Sequence, residues 1–224
     1  VEPDWARRIF LSDEELPDFL AIEAKKKQRE FLRHRIVAKD AARVWDARRA
    51  GTLYTHPCEW TVGHDELGAP RFEPAADPRL PHLSLSHQGP VSIALVAPFP
   101  VGIDIEDESR DMSQIKDYFL TDHESALLNT LAESMPDEAW PVRFWCAKEA
   151  VGKMLGIGLE GRPKQFEVAE VQPTGSLVIR HRTTGAWHEA QTLRWNGIVY
   201  AYCLAAGSSD PLSNRIGHAE TAST

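Results

Sequence analysis

Phe10-Leu11-Ser12-Asp13-Glu14-Glu15 returns 109 positions further on as Phe119-Leu120-Thr121-Asp122-His123-Glu124. Two more segments do the same. Ala38-Lys39-Asp40-Ala41 matches Ala147-Lys148-Glu149-Ala150 at that spacing, and Ser84-Leu85-Ser86-His87-Gln88-Gly89 resembles Thr192-Leu193-Arg194-Trp195-Asn196-Gly197 at 108. The last pair is followed by apolar runs, Val91 to Ala97 and Val199 to Ala205. One order at nearly one offset reads as an internal duplication. The expected fold is α+β: two similar subdomains, each with helices packed on an antiparallel sheet. The first is placed at 1–108 and the second at 109–206, with 207–224, rich in Ser, Thr, Ala and Gly, as a flexible tail.

Local chemistry agrees. Ser12-x-x-Glu15 and Thr121-x-x-Glu124 are capping boxes that open helices. Residues 25–49 lack Pro and Gly and predict a helix, with Phe31, Val37, Ala41 and Val44 as its apolar stripe. Val91, Ile93, Leu95 and Ala97 alternate as a strand between the turns Gln88-Gly89-Pro90 and Pro98-Phe99-Pro100, and Val101, Ile103 and Ile105 alternate next.

The chain has 224 residues, 42% hydrophobic and 26% charged, a globular balance that excludes a largely disordered protein. No apolar run approaches the roughly 20 residues of a membrane helix. The acidic start Val1-Glu2-Pro3-Asp4 has no signal-peptide core, and a first residue other than Met suggests a piece of a longer polypeptide. Cys58, Cys146 and Cys203 are scattered, with neither zinc nor disulfide spacing, so a reducing, cytoplasmic setting is expected. A net charge of −8 argues against nucleic acid. Yet residues 25–49 hold ten Lys and Arg against three Asp and Glu, while Asp104, Glu106, Asp107, Glu108 and Asp111 crowd together. One basic and one acidic segment suggest a small anionic ligand with a metal.

Within Val101-Gly102-Ile103-Asp104-Ile105-Glu106, Asp104 and Glu106 fall on one strand face about 6.6 Å apart, near enough to share a hard cation. The isoleucines are expected on the core side and the carboxylates on the other. The plainer alternative is a polar strand end. In Phe144-Trp145-Cys146-Ala147-Lys148-Glu149-Ala150-Val151-Gly152-Lys153, Glu149 and Lys153 are i, i+4 helix neighbours, equally readable as a surface salt bridge. Gly152 inside that helix points to a close approach by a ligand or another segment. Leu83-Ser84-Leu85-Ser86-His87 reads as a strand entering a turn, where a hydroxyl and an imidazole suit phosphate oxygens; an ordinary polar turn is as good a reading. Adjacent Ser86 and His87 would point apart on a strand, which disfavours a serine hydrolase.

Taken together, these motifs resemble the 4'-phosphopantetheinyl transferase superfamily, in its longer pseudo-dimeric, surfactin-synthetase-activating type. The likeness runs from about Trp5 to Ala206. It departs at Gln88, where the family often has Ser, and at Gly68-Ala69-Pro70, which lacks a lysine that Arg71 would have to replace. The resemblance implies two halves related by a pseudo-two-fold in a monomer, with the site at their interface. It implies transfer of phosphopantetheine from coenzyme A to a serine of an acyl or peptidyl carrier protein. It assigns Asp104, Glu106 and Glu149 to Mg²⁺ (or Mn²⁺), and catalysis to Glu149, Lys153 and Asp104. Arg35, Ser86, His87, Lys148, Lys153 and Arg43 fall to coenzyme A, with Lys39 a weaker candidate. Each basic residue of the long helix reads equally well as a solvated face. The carrier would be a small acidic helical bundle, met by the basic stretch and by apolar residues such as Ile115, Phe119 or Leu120; core burial is the plainer fate of Phe119. Two other readings share the carboxylates: another Mg²⁺-dependent phosphoryl-transfer enzyme, and a degenerate module that binds carriers without modifying them.

Overall fold

Helices and antiparallel strands follow one another in two runs, α+β as expected. The computed structural model describes residues 4–51, 55–75 and 77–205; the tail assigned to 207–224 lies outside them. The first run is α1 (Asp4–Phe10), α2 (Glu15–Ala21), α3 (Lys25–Ala50), β1 (Thr61–His64), β2 (Pro70–Glu73), β3 (His82–Gln88) and β4 (Val91–Ala97). After β5 (Val101–Asp107) come α4 (Lys116–Phe119), α5 (Asp122–Ser134), α6 (Trp140–Met154), β6 (Phe166–Val171), β7 (Leu177–His181), β8 (Trp187–Trp195) and β9 (Ile198–Leu204). The strands form two hairpins, β1-β2 and β3-β4, and a five-stranded sheet in the order β5-β9-β8-β7-β6. β5, inside the expected first subdomain, is thus hydrogen-bonded into the second run's sheet.

The doubled segments are doubled in structure. Gly89 (φ 55°) and the pair Asn196 (φ 50°) and Gly197 (φ 76°) close hairpins of matching register, Gln88↔Val91 and Trp195↔Ile198. Left-handed φ values at such turns favour Gly and Asn. Deeper inside, one buried network occurs twice. Lys148 Nζ donates to Glu124 Oε2 (2.9 Å) and to the Phe119 carbonyl (2.5 Å), while Glu124 accepts from the N–H of Thr121 (2.8 Å) and of Val168 (2.8 Å). In the first run Lys39 Nζ donates to Glu15 Oε2 and to the Phe10 carbonyl (2.6 Å), and Glu15 accepts from the N–H of Ser12 (2.9 Å) and of Val62 (2.9 Å). Each carboxylate ties a helix start to a strand and neutralises a lysine from a later helix. The box at Thr121 is complete. At Ser12 only the Glu15 half forms, and the helix begins at Glu15 itself.

This network corrects the reading of α3. Its buried positions are Leu32, Arg35, Ala38, Lys39 and Ala42, one step round from the expected stripe, and two of them are cations. Hydropathy does not foresee a buried lysine whose neutralising partner is contributed by another helix. Likewise Phe119 and Leu120 lie in the main core and present no surface to a carrier.

That core lies between α6 and the five-stranded sheet. Gly102 permits the contact: a Cβ there would stand 1.8 Å from the Ala150 carbonyl oxygen, so no side chain fits. Gly152 does the same for the chain's own loop, a Cβ meeting Gly158 O at 2.5 Å. The close approach foreseen at Gly152 is therefore internal.

Candidate active site

Gly102, Asp104 and Glu106 stand opposite Cys203, Ala201 and Val199 on β9, all three core residues. Directly opposed residues share a sheet face, so the carboxylates point toward α6. The expectation that they would face away from the core is corrected. Ile103 and Ile105 are buried too, but on the opposite face, across from Tyr202 and Tyr200.

β3, from the first run, lies along the free edge of β5. Instead of carbonyls, serine hydroxyls receive the strand's N–H groups: Ile103 N donates to Ser84 Oγ (3.0 Å) and Ile105 N to Ser86 Oγ (3.2 Å). Ser86 Oγ then donates to Asp104 Oδ1 (2.8 Å). Lys153, in the last turn of α6, spans the same seam. Its ammonium donates to Asp104 Oδ1 (2.7 Å), Ile103 O (3.1 Å) and Leu85 O (3.3 Å). An ammonium has three hydrogens, and all three are placed.

Glu106 is held from two sides. Gln88 Nε2 donates to its Oε2 (3.0 Å), and the Arg110 guanidinium pairs with its Oε1 while lying 5.6 Å from the centre of the Trp145 ring. Glu149 projects from α6 into this acidic neighbourhood. Burial, then the Asp104 carboxylate, pushes it up to about 7 against the pull of Lys153, and Glu106 adds to the push. Burial raises Glu106 as well, opposed by Arg110. A carboxyl poised near neutrality can take or give a proton.

Among the described residues, no three His, Cys, Asp or Glu side chains are already gathered as a cation site. The donor chemistry nonetheless suits a hard divalent ion. Carboxylates crowd until two of them resist ionisation, which an added cation relieves. Mg²⁺ keeps several waters and needs few protein ligands.

The coenzyme set divides. His87 lines a groove of about 570 Å³ with Lys26, Arg29, Glu30, Arg33 and Gln88. Lys26, Arg29 and Arg33 share a helix face at i, i+3 and i+7 spacing, a signal that went unread because the whole segment is basic. Ser86 is 8% exposed and engaged with Asp104. Arg35 is buried against Glu15, with Nε 3.0 Å from Oε1. Arg43 donates to Thr55 O (2.5 Å) and Asp40 Oδ1 (2.9 Å). Lys39 and Lys148 have no exposure. Arg71 pairs with Glu73 at 2.9 Å. Arg35, Arg43, Lys39 and Lys148 therefore serve the fold's own carboxylates and carbonyls.

The His34 ring meets that of the groove-lining His87 with centroids 4.8 Å apart. Burial, with His87, Arg35 and Arg33 nearby against the opposing carboxylate of Glu30, pushes His34 down to about 4. A base held neutral by the fold supports stability fully above its unfolded value of about 6.5, and that support drains as pH falls through 4. Discounting for partial exposure, wild type is expected to lose about 1 kcal/mol more than His34→Leu between pH 7 and pH 5. Urea melts at both values check this; equal losses would remove it.

Residues 100–203 match the model of the 4'-phosphopantetheinyl transferase superfamily. One curated relative, 4'-phosphopantetheinyl transferase psf-1 of Bacillus pumilus, is 33% identical over 100 residues, which cover 44% of this chain and 42% of that protein. The aligned stretch is thus less than half the length of the curated relative. The family match spans β5 to β9 and so takes in Asp104, Glu106, Glu149 and Lys153.

Proposed function

We propose that this chain, whose residues 100–203 belong to the 4'-phosphopantetheinyl transferase superfamily, moves the phosphopantetheine arm of coenzyme A onto a serine hydroxyl of an acyl or peptidyl carrier protein. Adenosine 3',5'-bisphosphate is the other product. One juxtaposition carries the reading. His87 lines the basic groove and the next residue, Gln88, hydrogen-bonds Glu106. The groove and the carboxylate cluster therefore adjoin at Gln88.

In this reading the groove binds coenzyme phosphates through Lys26, Arg29, Arg33 and His87. Glu149 accepts the proton as the carrier serine oxygen bonds to phosphorus and the phosphoanhydride oxygen departs with its electron pair. Asp104, Glu106 and Glu149 would hold Mg²⁺ or Mn²⁺, which supplies charge neutralisation at the pyrophosphate. Lys153 contributes its positive charge in place, its hydrogens being committed to the seam. The first run, ending with β4, and the second, beginning with β5, would meet along that seam, and a basic groove on a chain of net charge −8 would steer an acidic carrier locally.

Incubation with coenzyme A, Mg²⁺ and an apo carrier protein tests the reading. A carrier mass gain of one phosphopantetheine is expected. Phosphate release without that gain would instead favour a hydrolase, and carrier binding without either product a degenerate module.

A further inference from the structure

We infer that Arg110 is the resident counter-cation of the carboxylate cluster, occupying Glu106 until a divalent ion displaces it, and that it thereby sets how tightly the chain takes that ion. The inference rests on the metal reading proposed above and concerns a residue that reading does not use.

Two cations attend the three carboxylates, and they are anchored differently. Lys153 is bound to two backbone carbonyls as well as Asp104. Those carbonyls belong to β3 and β5, so withdrawing the ammonium would leave acceptors on both strands without that donor. Arg110 sits on the turn after β5, where its own N–H bonds the Asp107 carbonyl at 3.1 Å. Its guanidinium pairs with Glu106 and lies 5.6 Å from the centre of the Trp145 ring. Its side chain is 36% exposed, whereas that of Glu106 is 15% exposed. Arg110 is therefore the cation that can swing to solvent without breaking the seam. Gln88, donating to Oε2, and a hydrogen bond from the Trp145 side chain would keep Glu106 oriented when Arg110 leaves.

A competing role is conceivable: Arg110 could orient Glu106 for the ion, in which case its loss would weaken binding. The two roles differ in sign. Mn²⁺ titrated into the full chain, with free ion followed by electron paramagnetic resonance, separates them without any turnover. If Arg110 competes, Arg110→Gln binds Mn²⁺ about three- to fivefold more tightly at low salt, the scale of a partly exposed ion pair. The gain shrinks at high salt as the pair is screened. Arg110→Lys, which retains the charge, stays near wild type. Glu106→Gln removes the contested partner, so adding Arg110→Gln to it brings no further tightening. Unchanged or weaker binding by Arg110→Gln overturns the inference while leaving the metal reading intact. Mn²⁺ that stays free with every variant, coenzyme A present, overturns both. Thermal melts of each variant guard against loss of fold.

Discussion

Glu149→Gln is expected to lower the rate of carrier modification by about 10²–10⁴-fold while the chain melts at or slightly above the wild-type temperature. The two halves of that expectation have separate causes. The amide matches the carboxylate in shape but can neither accept the serine proton nor offer an anionic oxygen to a cation. Its neutrality is otherwise welcome. Glu149 is pushed up to about 7 by burial and by Asp104, with Glu106 adding to the push, and removing one of three crowded carboxylates relieves that repulsion. Asp104→Ala makes a poorer test. Asp104 anchors both Ser86 Oγ and Lys153 Nζ, so its removal leaves a part-buried ammonium short of an acceptor and loosens the seam between β3 and β5. Lost activity there would be confounded with lost structure. Mass spectrometry of the carrier under saturating coenzyme A, beside a thermal melt, checks the prediction. Near-wild-type turnover in Glu149→Gln would sink the assignment of Glu149, as base and as ligand together.

The sequence made some of this readable and hid the rest for identifiable reasons. The hairpins, β5 and the helix over 25–49 are written in short-range terms: alternation, a Gly at each turn, an uninterrupted run without breakers. The recurring segments are local likenesses too, and the structure gives the letters they share a job. Lys39 and Lys148 recur because each is the counter-ion of a capping glutamate 24 residues earlier. That partnership is long-range, so a count of residues 25–49 took Lys39 as one more basic residue, and the family resemblance offered Lys148 to the coenzyme. The carboxylate face failed for a related reason. Alternation says which residues of β5 share a side, but not which side α6 will cover. Gly102 decides that, because its missing side chain lets the Ala150 carbonyl approach. Arg110 was invisible because an arginine on a turn has no pattern; only the fold brings it to Glu106 and Trp145.

Lys148→Met is expected to lower stability by about 3–5 kcal/mol, the range for breaking a buried ion pair by removing one partner, and so the melting temperature by roughly 10 °C. The affinity of the folded fraction for coenzyme A should not move. The ammonium has no exposure and its partners are Glu124 and the Phe119 carbonyl. Without it, Glu124 keeps the amides of Thr121 and Val168 but carries an uncompensated charge inside the core. Burial already draws the lysine below its ordinary range against the pull of Glu124, which is the mark of a charge tolerated only because it is paired. Glu124→Gln in the same chain should therefore recover part of the loss, since the amide still accepts from a backbone N–H and removes the stranded charge. Lys39→Met should cost less, because Glu15 keeps a second buried cation, Arg35, with Nε 3.0 Å from its Oε1. Assays at 15 °C, where the variant remains folded, distinguish a structural lysine from a phosphate ligand. A structural lysine leaves KM for coenzyme A near wild type and speeds thermal inactivation. A ligand to phosphate raises KM about tenfold or more, the loss of one charge-assisted contact, with little change in melting. The second pattern would mean that the buried pair opens when substrate arrives, and would return Lys148 to the coenzyme site.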